Sequence, residues 1–139
     1  MNRDLENCKS VLHGGDYTCV VYQNGQLYTA TERGIRPLMG WLESDVLRDA
    51  VLADKVIGKA AAFLLEKGGA KAIYADVLSD PAAEVLERAE IAYSFQTKVP
   101  YIRNRAGDGT CPMESAVLDI RTADEAYLKL QETLQKLTK

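Results

Sequence analysis

The sequence predicts an α/β protein, a three-layer α/β/α sandwich built on a mixed sheet, and three observations carry that prediction. Two β-rich runs in "YTCVVYQNGQLYTAT" flank Asn24-Gly25, the pair that a tight type I′ hairpin turn prefers. The buried-looking run "KAIYADVL" and the alternating run "IAYSFQT" enclose a helical stretch, the spacing of a parallel unit with a right-handed crossover. Helical stripes occur before, between and after these runs, enough to cover a sheet on both faces.

Taken in order, a first helix is expected over about residues 3–13, with Leu5, Cys8 and Leu12 on one face and Val11 beside them. His13 falls at its end, where a cationic side chain suits the helix dipole, and Gly14-Gly15 follow. In the hairpin a two-residue loop sets Tyr22 opposite Leu27 and Val20 opposite Thr29, with apolar groups on both faces. Cys19 is then a small core residue. After "TERGIRP", Leu38, Trp41 and Leu42 mark a short helix opened near Pro37. A polar connection, "ESDVLRDA", leads to a helix over about residues 54–67, capped by Asp54 and ended by Gly68. Its inner faces combine Val56, Ala60, Phe63 and Leu64 with Ile57, Ala61 and Leu65. Gly58 costs this helix about 1 kcal/mol against alanine, a cost that close packing or a ligand would offset.

The strand "KAIYADVL" then runs to Asp80 and Pro81, read as N-cap and first-turn proline of a helix with Val85, Leu86 and Ala89 inside. The strand "IAYSFQT" sets Ile91, Tyr93 and Phe95 on its covered side. Beyond it, "GDGTCPMES" opens a helix of Met113, Val117 and Ile120. Thr122 and Glu125 form a capping box before Ala126, Tyr127, Leu130, Leu134 and Leu137.

Residues 1–139 read as a single domain, long enough to bury a core without staples. The 17 basic and 20 acidic residues leave a net charge of −3, which argues against general affinity for nucleic acid. No apolar run reaches the roughly 20 residues of a membrane helix, and the opening "MNRDLENCKS" is too polar for a secretory signal. Cys8, Cys19 and Cys111 are an odd set without close spacing, so reduced thiols in the cytoplasm are expected rather than disulfides.

The order helix, hairpin, helix, strand, helix, strand, helix, helix resembles the cytidine-deaminase-like fold. The strings "ERGIRPL", "VIGKAAA", "YADVLSD" and "GTCPMES" resemble an uncharacterised family of small bacterial and archaeal proteins with that fold, a domain of unknown function. The resemblance spans roughly residues 4–120 and brings no reaction with it. Deaminases hold zinc on His and Cys side chains at two helix starts and shuttle protons with a glutamate. The matching positions here are Gly58, Lys59 and Ala60, then Ser79, Asp80 and Pro81, with neither imidazole nor thiol. The resemblance therefore implies no zinc motif, no metal site and no cofactor.

Ligands of open α/β sheets collect beyond the carboxyl ends of the strands. The residues expected around that crevice are Arg33, Lys59, Asp76, Ser79, Asp80, Arg103, Asn104, Gly107, Asp108, Gly109, Thr110 and Glu114. Arginine forks, glycine-rich amides and helix starts together favour a nucleotide or a related phosphorylated small molecule. Duller readings stand beside these. Lys59 shares a helical stripe with Lys55, Ala62 and Glu66 that suits water, Asp80 suits a cap, and Arg103 and Arg105 suit solvent. Asp76, near the end of a buried strand, needs a partner, whether loop amides or a ligand. Cys111 stands at a helix start, where it is either a reactive thiolate or a filler of a small pocket. Three functions follow from these residues: ligand binding, a metal-independent enzyme using Cys111 or Asp76, and a non-catalytic subunit that meets a partner or a second copy through its last helix.

Overall fold

A computed structural model describes residues 3–32, 34–103, 109 and 111–137. The chain runs through α1 (Arg3–His13), β1 (Cys19–Gln23), β2 (Gln26–Ala30), α2 (Arg36–Glu43), β3 (Val51–Ile57) and α3 (Lys59–Gly68). It continues through β4 (Ala72–Ser79), α4 (Asp80–Arg88), β5 (Ala92–Val99), α5 (Pro112–Ala116) and α6 (Ala123–Leu137). The strands form one five-stranded sheet in the order β2-β1-β3-β4-β5. β1 is antiparallel to β2 and β3, whereas β3, β4 and β5 run parallel.

The hairpin follows the turn chemistry. Asn24 and Gly25 both take positive φ, 49° and 82°, as a type I′ turn requires. Tyr22 pairs with Leu27 and Val20 with Thr29. The β4-α4-β5 unit is parallel as its spacing implies.

The central strand β3 corrects the sequence reading. Val51–Ile57 is neither a polar connection nor the first turn of a helix. Val51, Leu52 and Ala53 are buried between β1 and β4, while Lys55 and Val56 are exposed. The apparent helical stripe from Val56 to Leu64 joins the end of a strand to a helix, with the break at Gly58. Asp54 is accordingly no helix cap. It is buried in the sheet opposite Cys19, and its Oδ1 accepts the Val56 N–H at 3.2 Å. The cap of α4 also moves by one residue: Ser79 Oγ accepts the Ala82 N–H at 3.2 Å, and Asp80 is the first helical residue.

Side-chain alternation divides the core between two faces of the sheet. Val20, Val51, Ala53, Ala72 and Tyr74 pack under Cys8 and Leu12 of α1. Val21, Leu52, Ile73 and Ala75 pack under the remaining helices, through Leu38, Phe63, Leu86, Met113 and Leu130. The helix α3, buried from Ala60 to Leu65, lies centrally there and touches α2, α4 and α6. The edge strand β5 is exposed along most of its length, more open than its alternation suggests.

Candidate functional site

The carboxyl ends of the three parallel strands depart from regular pairing. The pairing skips the level of Lys55, Asp76 and Gln96, passing from Asp54–Ala75 to Val56–Val77 and from Ala75–Phe95 to Val77–Thr97. Beyond that level Ile57 and Leu78 belong to the core beneath α3, and Lys98 reaches Asp80 of α4 at 3.8 Å. By alternation their neighbours Val56, Val77 and Val99 turn to the opposite face, the one α1 covers. Together with Pro100, Tyr101, Ile102 and Arg103 they line a cavity of about 340 Å³. Val56 is 44% exposed and Tyr101 45%, apolar surface laid open around the cavity. The Arg103 guanidinium lies 5.8 Å from the Tyr101 ring centre.

The end of α1 meets β4 through a hydrogen-bonded group around Asp76. Asp76, immediately before the cavity residue Val77, takes two hydrogen bonds on Oδ1. His13 Nε2 lies at 2.7 Å, and the Tyr74 hydroxyl donates at 2.7 Å. The His13 and Tyr74 rings meet edge to face, 6.0 Å apart. Burial, and then the bond to Asp76, push the Tyr74 phenol up to about 12, so it remains a donor. One strand over, burial pushes the Asp54 carboxyl up to about 7, against the opposing pull of its bonds from Val56 N–H and the Cys19 thiol.

A second carboxylate occupies the start of α3. Glu114 Oε1 accepts the Lys59 N–H at 2.7 Å and Oε2 accepts the Ala60 N–H at 2.8 Å. Two of the helix's orphan amides are satisfied from within the chain. Gly58 makes the approach possible, since a Cβ there would land on the Glu114 carboxylate. Burial raises the Glu114 carboxyl and the two amide bonds oppose that rise. The Lys59 ammonium turns back to donate to the Leu118 carbonyl at 2.8 Å. Cys111, half-buried, precedes the first residue of α5 and packs against the main core.

Comparison with other proteins now has a geometry to refer to. Residues 7–134 match the model of the family described as TM1506, domain of unknown function (DUF1893). The chain belongs to the DUF1893 family. Among the solved structures, the crystal structure of a DUF1893 family protein from Thermotoga maritima is 25% identical to it, with a TM-score of 0.85. That likeness covers 98% of this chain and 92% of the other. A search of curated proteins gives no match.

In this DUF1893 protein the crevice residues expected from sequence separate into groups. Arg103 lines the cavity, whereas Asp76 is bonded to His13 of α1 and to Tyr74 and is not among the lining residues. Lys59 and Glu114 meet at the start of α3, with Cys111 nearby on the same segment as Glu114. Ser79 is buried as the α4 cap, and Asp80 is exposed beside Lys98. Gly109 is partly buried. Arg33, Asn104, Arg105, Gly107, Asp108 and Thr110 lie outside the described residues. The structure adds His13, Tyr74, Val56, Val77, Val99 and Tyr101 to the site. His13 escaped because its helix-end position already explained it, while its partner lies 63 residues away. Val56 is hidden in the sequence because the helical stripe of α3 extends back through it, and Val77 and Val99 because only the pairing of β3, β4 and β5 brings the three together.

Proposed function

We propose that this DUF1893 protein binds a nucleotide or related phosphorylated small molecule in the cavity beyond β3, β4 and β5. The observation that carries this reading is the cavity itself, with an apolar floor of Val56, Val77 and Val99 and Arg103 on its wall. A pocket of a few hundred Å³ with apolar lining and few polar groups is the usual form of a small-molecule site. The position, outside the carboxyl ends of parallel strands, is where open α/β sheets take ligands. Tyr101 offers a flat face for a base. Arg103 brings to the cavity wall a planar guanidinium, the group suited to bidentate phosphate contact.

The start of α3 is the alternative phosphate seat, and Glu114 already fills it. A ligand anion there would have to displace two charge-assisted hydrogen bonds. The cavity is the better seat. The order of elements resembles that of the cytidine-deaminase-like fold, with a helix on one side of the sheet and several on the other. Gly58–Lys59–Ala60 and Ser79–Asp80–Pro81 do not fit the zinc set of deaminases, because they supply no imidazole or thiol. Binding in this reading uses the chain's own side chains.

A metal-independent reaction is favoured by one feature, the hydrogen bond between His13 and Asp76, which would orient either group for proton transfer. The protein's single histidine is thereby placed with Asp76 rather than Cys111. A thermal-shift screen tests the binding reading. Nucleoside monophosphates and sugar phosphates at millimolar concentration are expected to raise the Tm of the native protein and to lose that effect in Arg103→Ala. No rise with any of them would overturn it.

A further inference from the structure

The sheet ends on one side at β5, and that edge carries no strand beyond it. β5 pairs with β4 alone, and no further backbone hydrogen bond reaches Ala92–Val99 among the described residues. Alternate N–H and C=O groups along the strand therefore point outward unpaired, a template for another strand. The usual guards of such an edge are few. Ala92–Val99 holds no proline or glycine, and its one charge, Lys98, stands near the end. The middle is aromatic instead. Tyr93 and Phe95 stack with ring centres 6.4 Å apart, and Phe95 is 41% exposed. The opposite edge, β2, is five residues long against eight for β5, and so offers the shorter ladder.

We infer that β5 is the contact strand of a homodimer, in which a second copy of the chain adds its own β5 antiparallel across a two-fold axis. In an antiparallel pair, residues that point their amides at the other strand face residues that do the same. Two identical strands meet that condition only when the axis passes through a residue rather than between two. An axis through Ser94 makes the edge complementary to itself. Tyr93 of each copy faces Phe95 of the other, an aromatic cross-strand pair formed twice. Glu90 of each copy faces Lys98 of the other, so opposite charges meet at both ends. The backbone ladder uses the regular stretch Ala92–Phe95, which pairs level by level with Ala72–Ala75. Past the irregular level at Gln96 only the long Lys98 side chain has to reach across. Its contact with Asp80, at 3.8 Å, joins two exposed groups and is weak. Glu90 is exposed in the turn before β5 and makes no ion pair among the described residues. Pairing β5 with β2 of another copy would leave free edges and grow into a chain, whereas β5 on β5 closes. Dimerisation through this edge does not depend on the ligand.

Sedimentation velocity of the full chain over a range of concentrations tests this. One strand pair is a small contact, so a monomer–dimer equilibrium in the micromolar range is expected. Phe95→Lys sets a charge against Tyr93, and Lys98→Glu sets two acids face to face. Each should weaken the dimer about 10-fold or more. Glu90→Lys should weaken it likewise, and Glu90→Lys combined with Lys98→Glu should restore it, because the two charges exchange places. All three positions are exposed, so the folded monomer should survive each change, as circular dichroism would verify. A monomer at every concentration overturns the inference. So do species that grow past a dimer, a dimer that Phe95→Lys leaves unchanged, or a charge exchange that restores nothing.

Discussion

A carboxylate held inside a sheet, as Asp54 is, favours its protonated form, and that preference has a measurable sign. Its native value of about 7 stands above the ordinary carboxylate value. Between about pH 4 and pH 7 the folded state keeps a proton that the unfolded state has shed. Stability from this group therefore falls as pH rises through that window and stays low above it. Asp54→Asn removes the effect. In urea melts at pH 5 and pH 8 its stability relative to the native protein should rise by about 2–3 kcal/mol, at 1.36 kcal/mol per pKa unit. Parallel stability curves would contradict the burial of Asp54. Glu114 makes a second residue-level case. Glu114→Ala strips two helix-start amides of their acceptors and should cost about 1–3 kcal/mol. Gly58→Ala should cost a similar amount by driving a Cβ into the carboxylate. Because both changes act on one contact, Gly58→Ala with Glu114→Ala should cost less than the sum, read from the same melts.

At the scale of elements, the start of α4 separates two cap assignments. Ser79→Ala should destabilise by about 1 kcal/mol, the value of an N-cap oxygen. Asp80→Ala should stay within about 0.5 kcal/mol, since its partner Lys98 is 3.8 Å away and both are exposed. Denaturant midpoints of the two variants decide between them. The elements most legible in sequence were those with local signals, namely the Asn24-Gly25 hairpin, α3 from its alanine-rich stripe, and β4-α4-β5. The strand β3 was hidden because Asp54 and Lys55 interrupt its apolar run and the stripe of α3 extends backward through Gly58 in register. Only pairing with β1 and β4, contacts distant in sequence, makes Val51–Ile57 a strand. The candidate site was legible in part for the same reason. Arg103 and Asp76 stood out by type and position, whereas the valine floor and His13 depend on which strands lie side by side.

For the whole molecule, the sheet's two faces differ in cover. On one face α1 ends at His13 and leaves the carboxyl ends of β3, β4 and β5 open above Val56, Val77 and Val99. On the other face α3 begins at the same edge and is closed by Glu114. One edge of the sheet thus offers an open apolar floor with a guanidinium on one side and a sealed helix start on the other. No helix among the described residues is long and apolar enough to cross a membrane. Crystallography of this DUF1893 protein soaked with a ribonucleoside monophosphate tests the central claim most directly. Density is expected over Val56, Val77 and Val99, with the phosphate on Arg103 and Glu114 still bound to the Lys59 and Ala60 amides. A phosphate seated on those amides with Glu114 displaced, or a cavity without ligand, would contradict it.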